Sequence, residues 1–458
     1  MSQKPLLLKM LVIGALALVL LVPLAMVQGL VAERAALKHE VVRSVAQSAA
    51  GTQRVTLPVL VVPYVHKWIE TVESLDDQGR KRTVRHERST AGAARLLPEA
   101  VAARSAPQLA HKYRGLYRVL TYTAPLAVSG RFAIPRDFGF APLEGRVEWG
   151  TPVFALGTSD PRGIRIGPIL DWGGARIAMQ PGTGGDLTRL GQGISAAVPG
   201  PGAAGASAVE FKVDIELAGM ERISFVPTGR ESRVSLAAAW PHPSFFGKFS
   251  PEQTIGPGDF SAEWKTSFFS TNAAQAYAVC GASAKCEAFE ANEFGVSFIQ
   301  PADLYQQLER SAKYGFLFIG LTFAAFFLFE TLKALAVHPV QYGLVGLALA
   351  LFFVLLVSLS EHIGFASAYA AAASACVGLI VVYAGAVLRG WGRAAVIGAQ
   401  LAALYGVMYL LLKSEDYALL MGALFLFGLL AAIMLGTRRV DWYSLRAAAR
   451  EPTLDTTA

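Results

Sequence analysis

The sequence predicts a membrane protein of mixed α and β structure. Six transmembrane helices, arranged one plus five, hold a large, mainly antiparallel β domain outside the cytoplasm between the first helix and the second. Three observations carry that expectation. Of 458 residues, 53% are hydrophobic and only 16% charged, against roughly 25% charged in an ordinary soluble protein. Uncharged runs long enough to cross a bilayer cluster at the two ends of the chain. The stretch between them alternates apolar with polar residues between Gly and Pro punctuation, the mark of half-buried strands. A mean hydropathy of +0.42 with 44 Gly and 23 Pro excludes collagen, coiled coil and tail-like disorder.

The first element is a membrane anchor over residues 10–32, after a cytoplasmic stretch 1–9. Between Lys9 and Glu33 lie 23 residues without a charge, which at about 1.5 Å per residue exceed the roughly 30 Å hydrocarbon core. The rival is a cleaved signal peptide, but the run is longer than a typical apolar h-region and has no clear A-x-A site after it. Residues 33–313 then contain no comparable run and form the external domain. From Thr52 the sequence QRVTLPVLVVPYV, a charged stretch with Asp76 to Gly79 between two strand-like arms, and RGLYRVLTYTAPLAVSGRFAIP predict antiparallel strands, as do VEWGTPVFALGTSDPRG, AVEFKVDIELAGMERISFVPTG and SRVSLAAAW. A β-sandwich, or a twisted sheet packed on itself, fits this pattern. YRVLTYTAPLAVSGRFAIP and FKVDIELAGMERISFVPTG share a strand, turn, strand, Pro layout that suggests a degenerate repeat. The Gly, Ala and Pro-rich run from Gly182 to Ser207 predicts a loop without regular structure.

Five further spans follow at 314–332, 334–360, 363–388, 394–412 and 417–437, making a bundle over 314–437 with a tail over 438–458. The net charge of +7 tracks these spans and gives no case for nucleic acid as a partner. With the N-terminus inside, the inner flanks hold Lys4, Lys9, Lys333, Arg389, Arg393, Arg438, Arg439, Arg446 and Arg450, while the short outer loops hold only Lys413. Both termini are therefore expected in the cytoplasm.

Chemistry is sparse. His39-Glu40 and His86-Glu87 begin an H-E-x-x-H whose fifth positions are Arg43 and Thr90, and Gly157 to Asp160 begins a G-x-S-x-G that ends on Pro161, so neither a zincin nor a nucleophile elbow forms. GTGGDL lacks the Lys-Ser/Thr of a phosphate loop. His338 and His362 fall at opposite faces of the membrane, so a metal would need His362, Glu361 and a domain residue such as His242; no metal and no cofactor is expected. Glu330 sits near the inner end of its span and predicts an interfacial ion pair with Lys333. Three Cys build no disulfide framework. Cys280 and Cys286 stand where an external bridge would persist, and the sequence leaves open whether they are joined; Cys376 reads as a packing residue. Two Pro flank His242 in Trp240 to Glu252, WPHPSFFGKFSPE, beside Ser244 and Phe245. That segment reads as a structural corner of the sheet or as a rigid aromatic rim. The turn Ser360, Glu361, His362 reads as a helix cap or as a docking point, with Trp240 to Phe245 or the Gln300 to Tyr305 approach, including Asp303, as its counterpart.

At these residues the chain resembles the CreD family of cell envelope integrity inner membrane proteins. The resemblance runs from about Thr52 to the last span, through GTQRVTLPVLVVPY, RLLPEA, FVPTGRESRVSLAAAWPHPSFFGKFSPE, QPADLYQ, LTFAAFFLFE, HPVQYGLVGLALALF and LSEHIGF. It implies a multi-pass protein of the Gram-negative inner membrane with a periplasmic domain, linked to envelope integrity, colicin tolerance and β-lactam response. It carries over no catalytic residue. The expected role is non-enzymatic binding or scaffolding, with the lipid bilayer and an envelope protein or lipid ligand as partners. The alternative is lipid or small-molecule handling at the seam between domain and bundle. Oligomeric state is unknown from the sequence. An alkaline phosphatase fusion at Gly185 is expected to be active, and cytoplasmic reporters at Lys333, Arg389 and Arg438 likewise; a silent phosphatase at Gly185 with an active cytoplasmic reporter there overturns the orientation.

Overall fold

The computed structural model describes residues 4–75, 81–140, 144–185, 188–200, 207–283, 285–298, 304–332, 338–387, 390–413 and 418–438. The chain divides into two compact units, Met1–His39 with Ala302–Ala458, and Glu40–Pro301. Ten helices stand among the described residues: α1 Lys4–Val19, α2 Leu21–Ser48, α3 Phe268–Thr271, α4 Ala273–Ser283, α5 Glu287–Glu290, α6 Leu304–Leu332, α7 Pro339–Ile363, α8 Phe365–Val387, α9 Trp391–Lys413 and α10 Ala418–Thr437.

Among the described residues, four stretches are long and apolar enough to cross a membrane: Leu11–Ser48, Pro339–Ile363, Phe365–Val387 and Trp391–Lys413. Helices α6 and α10 occupy the positions of the other two expected spans. Helix α7 shows why such sequences suit hydrocarbon. Val345, Leu349, Phe352, Phe353 and Leu356 pack inward, while Leu344, Leu347, Leu351 and Leu355 remain exposed on the other face, and a helix apolar all round belongs in lipid. Its ends are punctuated locally. The His338 ring accepts the Val340 N–H and the Gln341 side chain accepts the His338 N–H, a capping box. Gly364 takes φ 77°, which a side chain would resist, and the helix stops there.

Helix α2 runs past Glu33 to Ser48 because charged residues do not end a helix; no Gly or Pro falls between Gly29 and Gly51 to stop it.

Among the described residues the β unit contains two nine-stranded sheets. One runs in the order Gln180–Pro181, Gly193–Ala197, Val153–Thr158, Gln53–Leu75, Arg222–Val226, Phe294–Phe298, Pro243–Gly247, with Lys81–Leu96 and Arg146–Trp149 beside Gln53–Leu75. The other runs Glu252–Ile255, Phe260–Ser267, Glu231–Ala238, Ala100–Ser105, Tyr117–Ile134, Ser207–Met220, Ile169–Trp172, Ala175–Ala178, with Gln108–Arg114 beside Tyr117–Ile134. Pairing is antiparallel except between Gln53–Thr56 and Ile223–Val226 and between Ala100–Ser105 and Glu231–Leu236. Along Ser207–Met220 the residues Phe211, Val213, Ile215 and Leu217 face inward and Lys212 and Asp214 outward, the period of two that a one-sided sheet needs. The two inner faces share one core, into which Phe132 and Phe154 meet edge to face at 6.2 Å and Trp264 stacks on Phe294 at 5.4 Å.

Two expectations change. The run Gly182 to Ser207 is not all loop: Gly193–Ala197 is a strand paired with Val153–Gly157, and its small side chains let Ile194 and Ala196 reach the core. The proposed repeat also fails. Tyr117–Ile134 is one uninterrupted strand, since its alternation never breaks at Gly130, whereas in the second segment the chain leaves one sheet for the other at Glu221, φ 55°.

Cys280 and Cys286 form a disulfide with Cα atoms 4.3 Å apart. It closes a small helical cap, α4 and α5, whose Tyr277 and Phe289 lie on Val59, Val61, Ala155 and Val226. The Tyr277 hydroxyl donates to the Thr188 carbonyl at 2.6 Å. Denatured, unreduced protein is expected to expose neither thiol to a labelling reagent. Replacing both cysteines by Ala is expected to lower the stability of this unit by at most about 2 kcal/mol, because so short a loop restricts the unfolded chain little; labelling of both residues contradicts the bridge.

Candidate functional site

The last turn of α7 draws three helices together. Ser360 is buried, its hydroxyl donating to the Val357 carbonyl at 2.9 Å. The next residue, Glu361, accepts a hydrogen bond from the Tyr305 hydroxyl of α6 at 3.2 Å and lies 3.8 Å from Nε of Arg34 on α2. Its side chain is only 9% exposed and that of Arg34 39%, so a nearly enclosed carboxylate is answered by a cation open to water. His362 is exposed, and Asp303 and Gln300 lie outside the described residues. Of the docking residues read from sequence, Glu361 and Tyr305 thus meet, while His362 lies at the surface.

A second pair mirrors the first at the opposite ends of the same two helices. Glu330 of α6 is 7% exposed and accepts from the Tyr342 hydroxyl of α7 at 2.7 Å. Phe323 and Phe326 pack edge-on to the Tyr342 ring. Lys333, the expected partner of Glu330, lies outside the described residues. In one pair the tyrosine belongs to α6 and the glutamate to α7; in the other the roles exchange.

In the β unit the WPHPSF segment becomes the edge strand Pro243–Gly247, with Ser244 opposite Ser297 and Phe245 opposite Val296. Phe245 is spent on Phe260 and Trp264, 5.7 and 5.8 Å away, and the Trp240 indole donates to the His242 carbonyl at 3.2 Å. These rings therefore brace a corner and do not form an open aromatic rim. Trp240 lies 6.4 Å from His111, whose pKa is lowered by partial burial and then by the Arg118 charge.

The profile of the family described as Inner membrane protein CreD matches residues 5–443. The chain belongs to the CreD family. Inner membrane protein CreD of Escherichia coli (strain K12) is 34% identical over 463 aligned positions, covering 99% of this chain and 98% of that protein. Among solved structures, a Legionella pneumophila protein described as nutrient binding covers 48% of this chain and 82% of its own at 9% identity. Its TM-score of 0.17 is too low to carry any argument.

In this CreD chain the incomplete G-x-S-x-G has a structural use. In Gly157 to Gly163, GTSDPRG, Ser159 is bound on both sides by backbone: its hydroxyl donates to the Thr52 carbonyl at 2.8 Å and accepts the Arg54 N–H at 2.9 Å. Asp160 accepts from Nε and Nη2 of Arg162 at 2.9 and 2.6 Å and from the Gly51 N–H at 3.1 Å. Held in that fork, Arg162 donates to the carbonyls of Ala46 and Gln47 at the end of α2. Gly163 is required beside it, since a Cβ there would strike the Ala218 carbonyl and the Gln53 amide. Val45 meanwhile packs on Val119 and Met220. Hydrogen bonding from Arg162 is the main reason the Asp160 carboxyl sits below the usual aspartate range, with the Gly51 and Arg162 N–H groups adding to it and burial opposing it.

A depressed carboxylate pKa stabilises the fold above the unfolded value near 3.9 and stops doing so as pH falls through the folded value. Asp160→Asn is therefore expected to destabilise the β unit by about 1 kcal/mol or less at neutral pH, given solvent screening. The difference from the parent chain should shrink below about pH 4. Thermal unfolding at both pH values checks this, and a gap that persists in acid contradicts it.

Proposed function

We propose that this chain is a multi-pass scaffold of the inner membrane that contributes to cell envelope integrity, including colicin tolerance and the β-lactam response, by binding and holding instead of by turning over a substrate. In this reading six helices cross the bilayer, both termini are cytoplasmic and the β unit is periplasmic. The supporting observation is how Glu361 is used. An enclosed carboxylate is costly unless its charge is met, and here its Oε1 is met by groups from α2 and α6, so the residue joins helices. Asp160 of the β unit is likewise committed to Arg162, which it holds against a helix end. A second reading, lipid handling, draws on an apolar cavity of about 270 Å³ between α6, α9 and α10, lined among others by Phe318, Met408 and Phe425.

In a deletion strain, Glu361→Ala is expected to insert in the membrane at parental levels yet leave colicin tolerance unrestored, whereas the exposed His362→Ala restores it. Full complementation by Glu361→Ala removes the helix junction from the function. Stoichiometric lipid retained by the purified parent chain and lost on Ala423→Trp would favour the second reading.

A further inference from the structure

The strand Gln53–Leu75 is longer than its sheet requires. Val153–Thr158, Arg222–Val226 and Arg146–Trp149 cover it only as far as Lys67. From Trp68 to Leu75 its one strand neighbour among the described residues is the returning arm, paired Trp68 to Arg88 through Leu75 to Lys81. At about 3.3 Å per residue this two-stranded ribbon reaches about 25 Å. Two strands alone are marginal in water, and this pair leaves Ile69 61% and Val72 40% exposed.

Of the usual protections its outer edge carries charge alone. A free edge is a row of unpaired N–H and C=O groups that templates another strand unless it is short, bulged or broken by Pro. The arm Lys81–Leu96 has 16 residues, pairs without a register shift and contains no Pro. Among the described residues it has no strand on its far side.

Charge selects the occupant. From Lys81 to Ser89 the sequence carries Lys81, Arg82, Arg85 and Arg88 against the single Glu87, while the facing stretch Trp68 to Leu75 carries Glu70 and Glu73 and no cation. Glu70 already holds Arg88 at 2.7 Å, so one acidic strand sits on the inner side of this basic one. Opposite charges across a strand pair stabilise it and like charges do the reverse. Two copies joined edge to edge about Arg85 would set Arg85 against Arg85 and Arg82 against Arg88. Joining the acidic edge of one copy to the basic edge of the next would be head to tail and need not close.

We propose that the free edge of Lys81–Ser89 takes up an acidic, extended segment of another polypeptide as a third strand, by β-augmentation. The surface is independent of the Glu361 junction and makes the ribbon a partner-binding arm.

The test uses the full chain in nanodiscs and three labelled peptides: an acetylated alternating Glu-Thr peptide, its Lys-Thr counterpart, and the Glu-Thr peptide N-methylated along one edge. The Glu-Thr peptide is expected to bind about tenfold more tightly than the Lys-Thr peptide, as two or three favourable cross-strand pairs allow. N-methylation should abolish binding. Arg85 and Glu87 are exposed, so their variants leave the core alone: Arg85→Glu should weaken the Glu-Thr peptide about tenfold and Glu87→Lys should tighten it. Equal affinity for both charges, indifference to Arg85→Glu, or full binding of the methylated peptide overturns the proposal. So does a chain that forms oligomers in light scattering which Arg85→Glu dissolves, since the edge would then belong to a second copy.

Discussion

A helix that ends against a β domain must do something with its last carbonyls, because no further turn supplies amides to meet them. In this chain the end of α2 is met by Arg162, and much of the surrounding order follows from that contact. Asp160 orients the guanidinium and takes the Gly51 N–H, so the third residue after the helix is fixed by the carboxylate that holds the capping arginine. Gln53 then reaches the carbonyls of Asp160 and Ala218, which sets where the first strand begins relative to two others. A cation at a helix C-terminus is also favoured by the helix dipole. The capping residue thus settles the helix end, the turn that follows and the start of the central strand together.

From that start, the sandwich is ordered by packing more than by polar chemistry. Its aromatic residues are shared between the inner faces of both sheets, and their edge-to-face geometry resists sliding of one sheet over the other. The disulfide-closed cap covers the outer face of the first sheet at Val59 and Val61. Beyond those residues the same strand loses its cover and becomes the ribbon, so one strand passes from fully buried to solvent-facing along its length.

Much of this was legible in the sequence wherever the signal is local. Uncharged runs marked the long helices, alternation marked the strands, and the capping residues of α7 lie within four positions of one another. What escaped was long-range or masked by composition. Gly193–Ala197 hides its alternation behind small residues. The GTSDPRG motif resembles the beginning of a nucleophile elbow, but its role depends on carbonyls of Ala46 and Gln47, more than a hundred positions earlier. Glu361 was singled out from its place in a short turn, and Tyr305 from its approach to a span, yet nothing local announced Arg34 as their companion. The hydrogen bond that Glu330 accepts from Tyr342 comes from across an interhelical connection, where no local spacing announces it.

The exchanged tyrosine and glutamate roles on α6 and α7 set a limit on motion. Tyr342 and Glu361 are separated by about 28 Å of helix at 1.5 Å per residue, so the two contacts work as distant bolts on one pair of rods. If α7 slid along α6 by a single residue, or turned by the roughly 100° that one residue subtends, both contacts would be lost at once. Piston and screw movements between these helices therefore cost two hydrogen bonds to carboxylates together, whereas tilting the pair as a single beam costs neither.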